Sequence, residues 1–329
     1  MVKDNAYGHG IRIVSKTLSK YVRGFAVATV DEAVELRDLG EKKPIWIFGG
    51  FKDQTELECI IDNRLVPVVH SEYQLDLLRA GDCRPQVVLE LDSGMGRLGF
   101  HPATFKCMYE RVAKYSDIQA VMSHFACAEE AKSGITRRQF DCFLRSIPTK
   151  SASRSIANSA GIIGCAEWQL ELVRPGLLLY GVSPYPQKQG ADHGVIPAMT
   201  LESELIAIRS MSQGERIGYG GTWTCPQDMS VGVVSCGYGD GYPRSIPNGA
   251  EVELRGTRAA IVGRISMDSM TVDLRSVPNA RVGDKVTLWG PYLPIESVAK
   301  QAETIPNQLL VNVMPRVPRI VEELDVGSN

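Results

Sequence analysis

Through the first two thirds of the chain, short β-rich runs are each followed by an amphipathic helical stretch, and this alternation leaves few folds open. Gly24–Val30 reads as a strand and Asp31–Gly40 as its helix, with Asp31 the expected N-cap and Gly40 just past the C-terminus. Pro44–Gly49 precedes a helix around 54–62, Leu65–His70 a helix over 72–80, and Gln86–Asp92 a loop and a helix near 105–115. Ile118–His124 precedes a helix near 137–146, and Ser155–Asn158 and Leu172–Tyr180 read as two further strands. Met1-Val2-Lys3 reads as the end of another strand, with its helix near 11–21. Eight β/α units on short loops predict an α/β fold, a (β/α)8 TIM-type barrel. An open doubly wound sheet is the alternative, but no G-x-G-x-x-G follows a first strand.

From about Thr200 the helical pattern thins and short alternating strands take over: 203–209, 229–236, 251–254, 259–262, 270–273 and 285–289, with one helix around 295–302. The expected organisation is a barrel over 1–199, its first strand truncated, and a β-rich C-terminal domain over 200–329. A net charge of −2 favours neither nucleic acid nor an anionic membrane, and no apolar run reaches a membrane-spanning length. Eight scattered cysteines form no C-x-x-C pair, and there is no apolar leader segment, so reduced thiols in a cytoplasm are expected and a zinc site is not.

Polar residues gather at the carboxyl ends of the predicted strands, where barrel enzymes build their sites: Lys3, Asp92 with Arg97, His124, Asn158 with Ser159, and Arg174. Singly, each has a plain structural reading. Lys3 is a solvated charge, His124 a satisfied core histidine, and Arg97 the partner of Asp92; Tyr219 and Tyr238 are exposed aromatics of Gly-rich turns, and Met267 is packing. A lysine is also the usual Schiff-base former with carbonyl cofactors.

The motif around it decides between these readings. Lys3-Asp-Asn-Ala-Tyr-Gly-His-Gly10 closely resembles the pyridoxal-phosphate segment of alanine racemases, usually K-A-N-A-Y-G-H-G. Leu91-Asp-Ser-Gly-Met-Gly-Arg-Leu-Gly99 looks like that family's D-[ST]-G-M-x-R-L-G element. Ser123–Ala126, Ala157–Ala160, Val173–Gly181, Gly218–Thr222, Gly237–Tyr242 and Val262–Asp268 match in the same order, so the resemblance spans nearly the whole chain.

The resemblance implies a pyridoxal 5'-phosphate enzyme that interconverts L- and D-alanine and supplies D-alanine for peptidoglycan. It also implies a cytoplasmic homodimer with shared active sites. By motif position Lys3 is the Schiff-base lysine and the base for the D-enantiomer. Tyr219 is the opposing base for the L-enantiomer, from the other subunit. A tyrosine has an ordinary pKa near 10, so it needs help to act as a base. The same positions make Arg174 the partner of the pyridine nitrogen and join His124 to it in a hydrogen-bonded chain. Asn158 falls in the cofactor site. Tyr7, Ser159, the backbone at Gly176 and Leu177, and Tyr238 hold the phosphate. Arg97 and the Met267 backbone, from the other chain, hold the substrate carboxylate, and Asp268 orders the Met267 loop.

Three departures stand out. Family members carry a longer segment ahead of the lysine, whereas two residues precede Lys3 here. Many relatives place a lysine at Glu90, which becomes carbamylated and orients the substrate arginine; Glu90 is expected to pair with Arg97 directly or through water. Pro315 stands where many relatives place an entrance tyrosine, which predicts a wider entry and a broader amino-acid range. Rival readings are a related barrel decarboxylase, a single-domain cofactor carrier and an inactive truncated homologue. Arg174 in place of a glutamate argues against the first, the β-rich domain against the second, and the retention of both bases against the third.

Overall fold

A computed structural model describes residues 1–130, 134–148 and 152–322. The chain divides into two compact units: Met1–Ala6 with Ile11–Val195, and Tyr7–Gly10 with the chain from Ile196 onward.

The first unit holds six parallel strands paired strictly in chain order: β1 (Phe25–Val27), β2 (Ile45–Ile47), β3 (Val66–Val69), β4 (Gln86–Glu90), β5 (Asp117–Met122) and β6 (Ser153–Ser155). Helices fill the connections: α1 (Ile11–Leu18) before β1, then α2 (Val30–Asp38), α3 (Gln54–Asp62), α4 (Glu72–Ala80), α5 (Phe105–Val112) and α6 (Ile135–Ser146), with α7 (Ser159–Gly164) after β6. The strands are short and buried along most of their length, as parallel strands covered by helices must be. Val66, Val68, Val88, Ala120 and Met122 form one core cluster, against which Trp46, Phe48 and Leu172 pack.

At one end of the sheet Val2 N–H donates to Ala26 O at 2.9 Å, and at the other Leu172 bridges to Ser155. The two outer strands predicted for the barrel are therefore reduced to isolated backbone bonds, Val2 to Ala26 on one side and Leu172 to Arg154 and Arg174 to Ala157 on the other. Leu172–Tyr180 is not a strand. Pro175 has no N–H to give a ladder, and Leu177–Tyr180 closes into a 3-10 turn. The first helix cap also differs from expectation. Thr29, not Asp31, caps α2, its hydroxyl accepting from Glu32 N–H while Glu32 reaches back in a capping box. Gly40, with φ +89°, takes the left-handed position past the helix as expected.

The second unit is an antiparallel sheet in the order β12-β11-β14-β7-β10-β13: Thr257–Ala260, Glu251–Leu254, Lys285–Trp289, Leu201–Met211, Met229–Val234 and Met270–Asp273. The eleven-residue β7 pairs on both sides, and a bridge from Ile261 to Val272 links the ends of the order, so the sheet closes on itself and hides its edges. A small hairpin, β8 (Arg216–Ile217) with β9 (Trp223–Thr224), projects from it. Two helices, α8 (Ile295–Gln301) and α9 (Pro306–Val311), complete the described part. No helix among the described residues is long and apolar enough to cross a membrane.

Candidate active site

Lys3 opens a single turn of left-handed helix. Asp4, Asn5 and Ala6 have φ of 53, 52 and 55°, and Ala6 N–H closes the turn onto Val2 O at 2.9 Å. L-residues resist this conformation by roughly 1–2 kcal/mol each, so the surroundings must impose it. Glu32 does so on one side, its carboxylate accepting from the N–H groups of Asp4, Ala28 and Thr29. Asn5 Oδ1 accepts from Ile11 N–H at 2.8 Å on the other. The same glutamate that caps α2 thus anchors the turn carrying Lys3.

Arg174 follows the Leu172 bridge and is buried. Its guanidinium donates to Ser155 Oγ at 2.6 Å and to Ser123 O at 2.5 Å, with His124 Nδ1 at 3.4 Å. Burial lowers its pKa to about 10, so it stays charged at neutral pH. Burial, then Arg174, Arg97 and Lys3, push the His124 imidazole down to about 3. It is therefore neutral. Because a guanidinium only donates, Nδ1 accepts and the ring proton resides on Nε2. Asn158 Nδ2 lies 3.4 Å from that Nε2, while Asn158 Oδ1 caps α7 by accepting from Gly161 N–H at 3.0 Å. These contacts bring His124, Asn158 and Arg174 together.

Beside them Ser159 Oγ accepts from Gly176 N–H at 2.9 Å and from Leu178 N–H at 3.2 Å. The Leu177 N–H, at the start of its 3-10 turn, has no acceptor among the described residues, nor has the first-turn N–H of Ala160 in α7. Buried unmet donors at two helix starts suit a phosphate, so the residues present fit the cofactor that the resemblance implies.

Arg97 lines a pocket with Glu90, Asp92, Ser123 and His124. The Asp92 carboxylate is not paired with it but accepts the N–H groups of Gly94, Met95 and Gly96, shaping the loop that bears Arg97. The expected direct pairing of Glu90 with Arg97 is also not made among the described residues.

The second unit holds Tyr7, Tyr219, Tyr238 and Met267. Tyr7 is buried and precedes Gly8, where φ is +76° and a Cβ would stand 2.0 Å from Leu310 O, so only glycine lets this segment dock on α9. Tyr219 sits 65% exposed at the tip of the β8–β9 hairpin, whose base is packed by Ile217, Trp223 and Cys225 against Val231 and Val262. Tyr238 N–H donates to Ser266 O at 3.1 Å and Gly239 N–H to Met267 O at 2.8 Å, joining two loops. Arg316 clamps them, 2.8 Å from Asp240 and 2.9 Å from Asp268. The Met267 N–H is left without an acceptor among the described residues and can bind an anion. Arg316 and Glu32 were not among the sequence-derived candidates. Their long-range bonds give no local signal, although the Thr29-x-x-Glu32 spacing of a capping box was there to be read.

Residues 1–184 match the family model described as alanine racemase, N-terminal domain, and residues 198–321 that described as alanine racemase, C-terminal domain. The chain is 44% identical to an alanine racemase of Vibrio parahaemolyticus, covering 96% of this chain and 90% of that one. The biosynthetic alanine racemase of Pseudomonas aeruginosa superposes with a TM-score of 0.94 at 40% identity, over 98% of this chain and 91% of that one. An alanine racemase of Bartonella henselae, solved with covalently bound pyridoxal phosphate, superposes with a TM-score of 0.87 at 29% identity, over 97% and 90% of the two chains.

Proposed function

Since the chain belongs to the alanine racemase family, we propose that Lys3 and Tyr219 are the two bases with which it interconverts L- and D-alanine. The enzyme is an isomerase dependent on pyridoxal 5'-phosphate, and its product D-alanine serves peptidoglycan. When bound, the cofactor supplies an electron sink that makes the amino acid's α-hydrogen acidic. Lys3 Nζ attaches it and moves the proton at Cα for the D-enantiomer. Tyr219 Oη, from a second copy of the chain, does so on the opposite face for the L-enantiomer.

The observation that carries this reading is the buried pair of Arg174 and His124. Arg174 is charged and its proton is not available, so a pyridine nitrogen bound against it would stay unprotonated. A neutral His124 accepts from Arg174 at Nδ1 and offers its Nε2 proton to the site, which supports a chain reaching Tyr219. Asn158 Nδ2, itself a donor, lies beside that Nε2 without bonding to it and donates to Phe125 O instead. Ser159, the Gly176 and Leu177 backbone, Tyr7 and Tyr238 hold the phosphate. Arg97 and the Met267 N–H hold the substrate carboxylate, a fork and a dipole suited to it.

Two bases on opposite faces, one of them on an exposed hairpin, support a homodimer with shared sites. Eight free cysteines support a cytoplasmic location. Borohydride reduction of the holoenzyme and peptide mapping test the assignment. The reduced cofactor is expected on Lys3 and D-alanine is expected to be converted to L-alanine. A label elsewhere, or no conversion, overturns the reading.

A further inference from the structure

Three ionisable acidic or basic side chains are buried among the described residues: Glu90, Arg174 and Asp273. Asp273 has Arg275 at 2.6 Å, and Arg174 donates to Ser155 and Ser123. Glu90 differs. Its backbone carbonyl accepts from Phe100 N–H at 2.9 Å, but its carboxylate has neither a hydrogen bond nor an ion pair among the described residues. It ends β4 and faces the pocket shared with Arg97, Asp92, Ser123 and His124. The charged groups acting on it are Arg174, beyond the β6 bridge, and Arg97 and Asp92, on its own following loop. Asp92 is committed to three N–H groups and His124 is neutral. Two cations are therefore met by one uncommitted carboxylate.

We propose that Glu90 is a positioning residue that balances the pocket's charge for the substrate: ionised, it stands in opposite Arg97 for the absent substrate carboxylate, and it takes up a proton from solvent when that carboxylate arrives. The inference rests on the reading of Arg97 as the carboxylate fork. Burial raises the Glu90 pKa above its ordinary value, while Arg174 and Arg97 pull it down. A second carboxylate beside Arg97 engages that cation and raises it further, because two anions in one pocket repel. Affinity for a carboxylate then falls with rising pH between the two pKa values of Glu90, approaching about tenfold per pH unit.

Propionate, the carboxylate of alanine without its amine, is the probe. Titrated into holoenzyme in two buffers of different ionisation enthalpy, it is expected to bind with uptake of up to one proton. In Glu90→Gln the uptake and the pH dependence both vanish, and in Glu90→Asp both persist. Propionate binding to the unaltered enzyme with no buffer dependence overturns the inference, and so does uptake that survives in Glu90→Gln. The unaltered enzyme alone suffices if the variants do not fold. Arg97→Lys separates the two claims: wild-type propionate affinity in that variant means that the reading of Arg97 has failed, whatever Glu90 does.

Discussion

The two units hold their candidate site residues in opposite ways. In the first, Arg174 and Glu90 are 7% and 5% exposed, and Arg174 and His124 stand on or just beyond the barrel strands with their hydrogen bonds made in advance. In the second, Tyr219 and Met267 are 65% and 53% exposed, Tyr219 on a turn rich in glycine and Met267 on a loop. The difference teaches that charge and reach demand different supports. A buried cation must have its donors satisfied by fixed acceptors, which only a rigid sheet end supplies. A group proposed to serve a second copy of the chain must instead project, and a hairpin tip does so without exposing the core beneath it.

Breaking the first half at Lys3 has the largest expected effect. Lys3→Ala removes both the proposed attachment point and one proposed base, so racemisation is expected to fall by more than about 10^3-fold, beyond a typical general-base contribution. Borohydride then traps no cofactor, while cofactor binding by absorbance titration survives through the phosphate donors. Breaking the second half is gentler and one-sided. Tyr219→Phe keeps the ring and loses the proton carrier, for a loss of about 10^2–10^4-fold in racemisation. Exchange of the α-hydrogen of D-alanine with heavy water continues at Lys3, while exchange from L-alanine stops. Equal losses for both enantiomers would show that the two bases are not divided between the two faces.

How much of this is legible in the chain follows the same division. Helices α3 and α4 match their expected spans because an Asp53 or Ser71 cap and a one-sided apolar stripe are local signals. The strand end before His124 is legible from its own short apolar run, and eight ordered motifs carry the family. The run Leu177-Leu178-Leu179 misleads, because a short apolar stretch suits a strand or a turn equally, and Pro175 and the open N–H groups decide only in three dimensions. The left-handed turn after Lys3 has no sequence signature either. Asp4, Asn5 and Ala6 prefer other conformations, and the turn exists because Glu32 holds it across 28 residues of sequence. Arg316 is hidden likewise, 76 residues from Asp240.

Arg316 offers a subtler break of the exposed half. Arg316→Met keeps length but loses the clamp between the Tyr238 turn and the Met267 loop. The Met267 N–H, proposed to meet the substrate carboxylate, then loses its fixed direction. The KM for alanine is expected to rise about tenfold, the loss of one charge-assisted bond, with kcat changed less than threefold. A fall in kcat at constant KM would mean that the loop serves the chemical step and not binding.

The smallest effect sharpens the buried half and concerns stability rather than turnover. In the unfolded chain the His124 imidazole gains its proton near its ordinary 6.5, whereas in the folded protein burial and then Arg174 withhold it to about 3. Between these values the unfolded state binds more protons than the folded one. Folding stability therefore falls as pH drops from 6.5 towards 3, by at most about 1.4 kcal/mol per pH unit from this group, and His124 adds no pH dependence above 6.5. In His124→Gln that contribution is gone, while carboxylates titrate alike in both proteins and cancel in the difference. Urea unfolding between pH 8 and pH 4.5 is expected to show the variant losing less stability on acidification than its parent. Parallel curves would mean that the imidazole is not held neutral against Arg174, and the proton relay to Tyr219 would lose its first member.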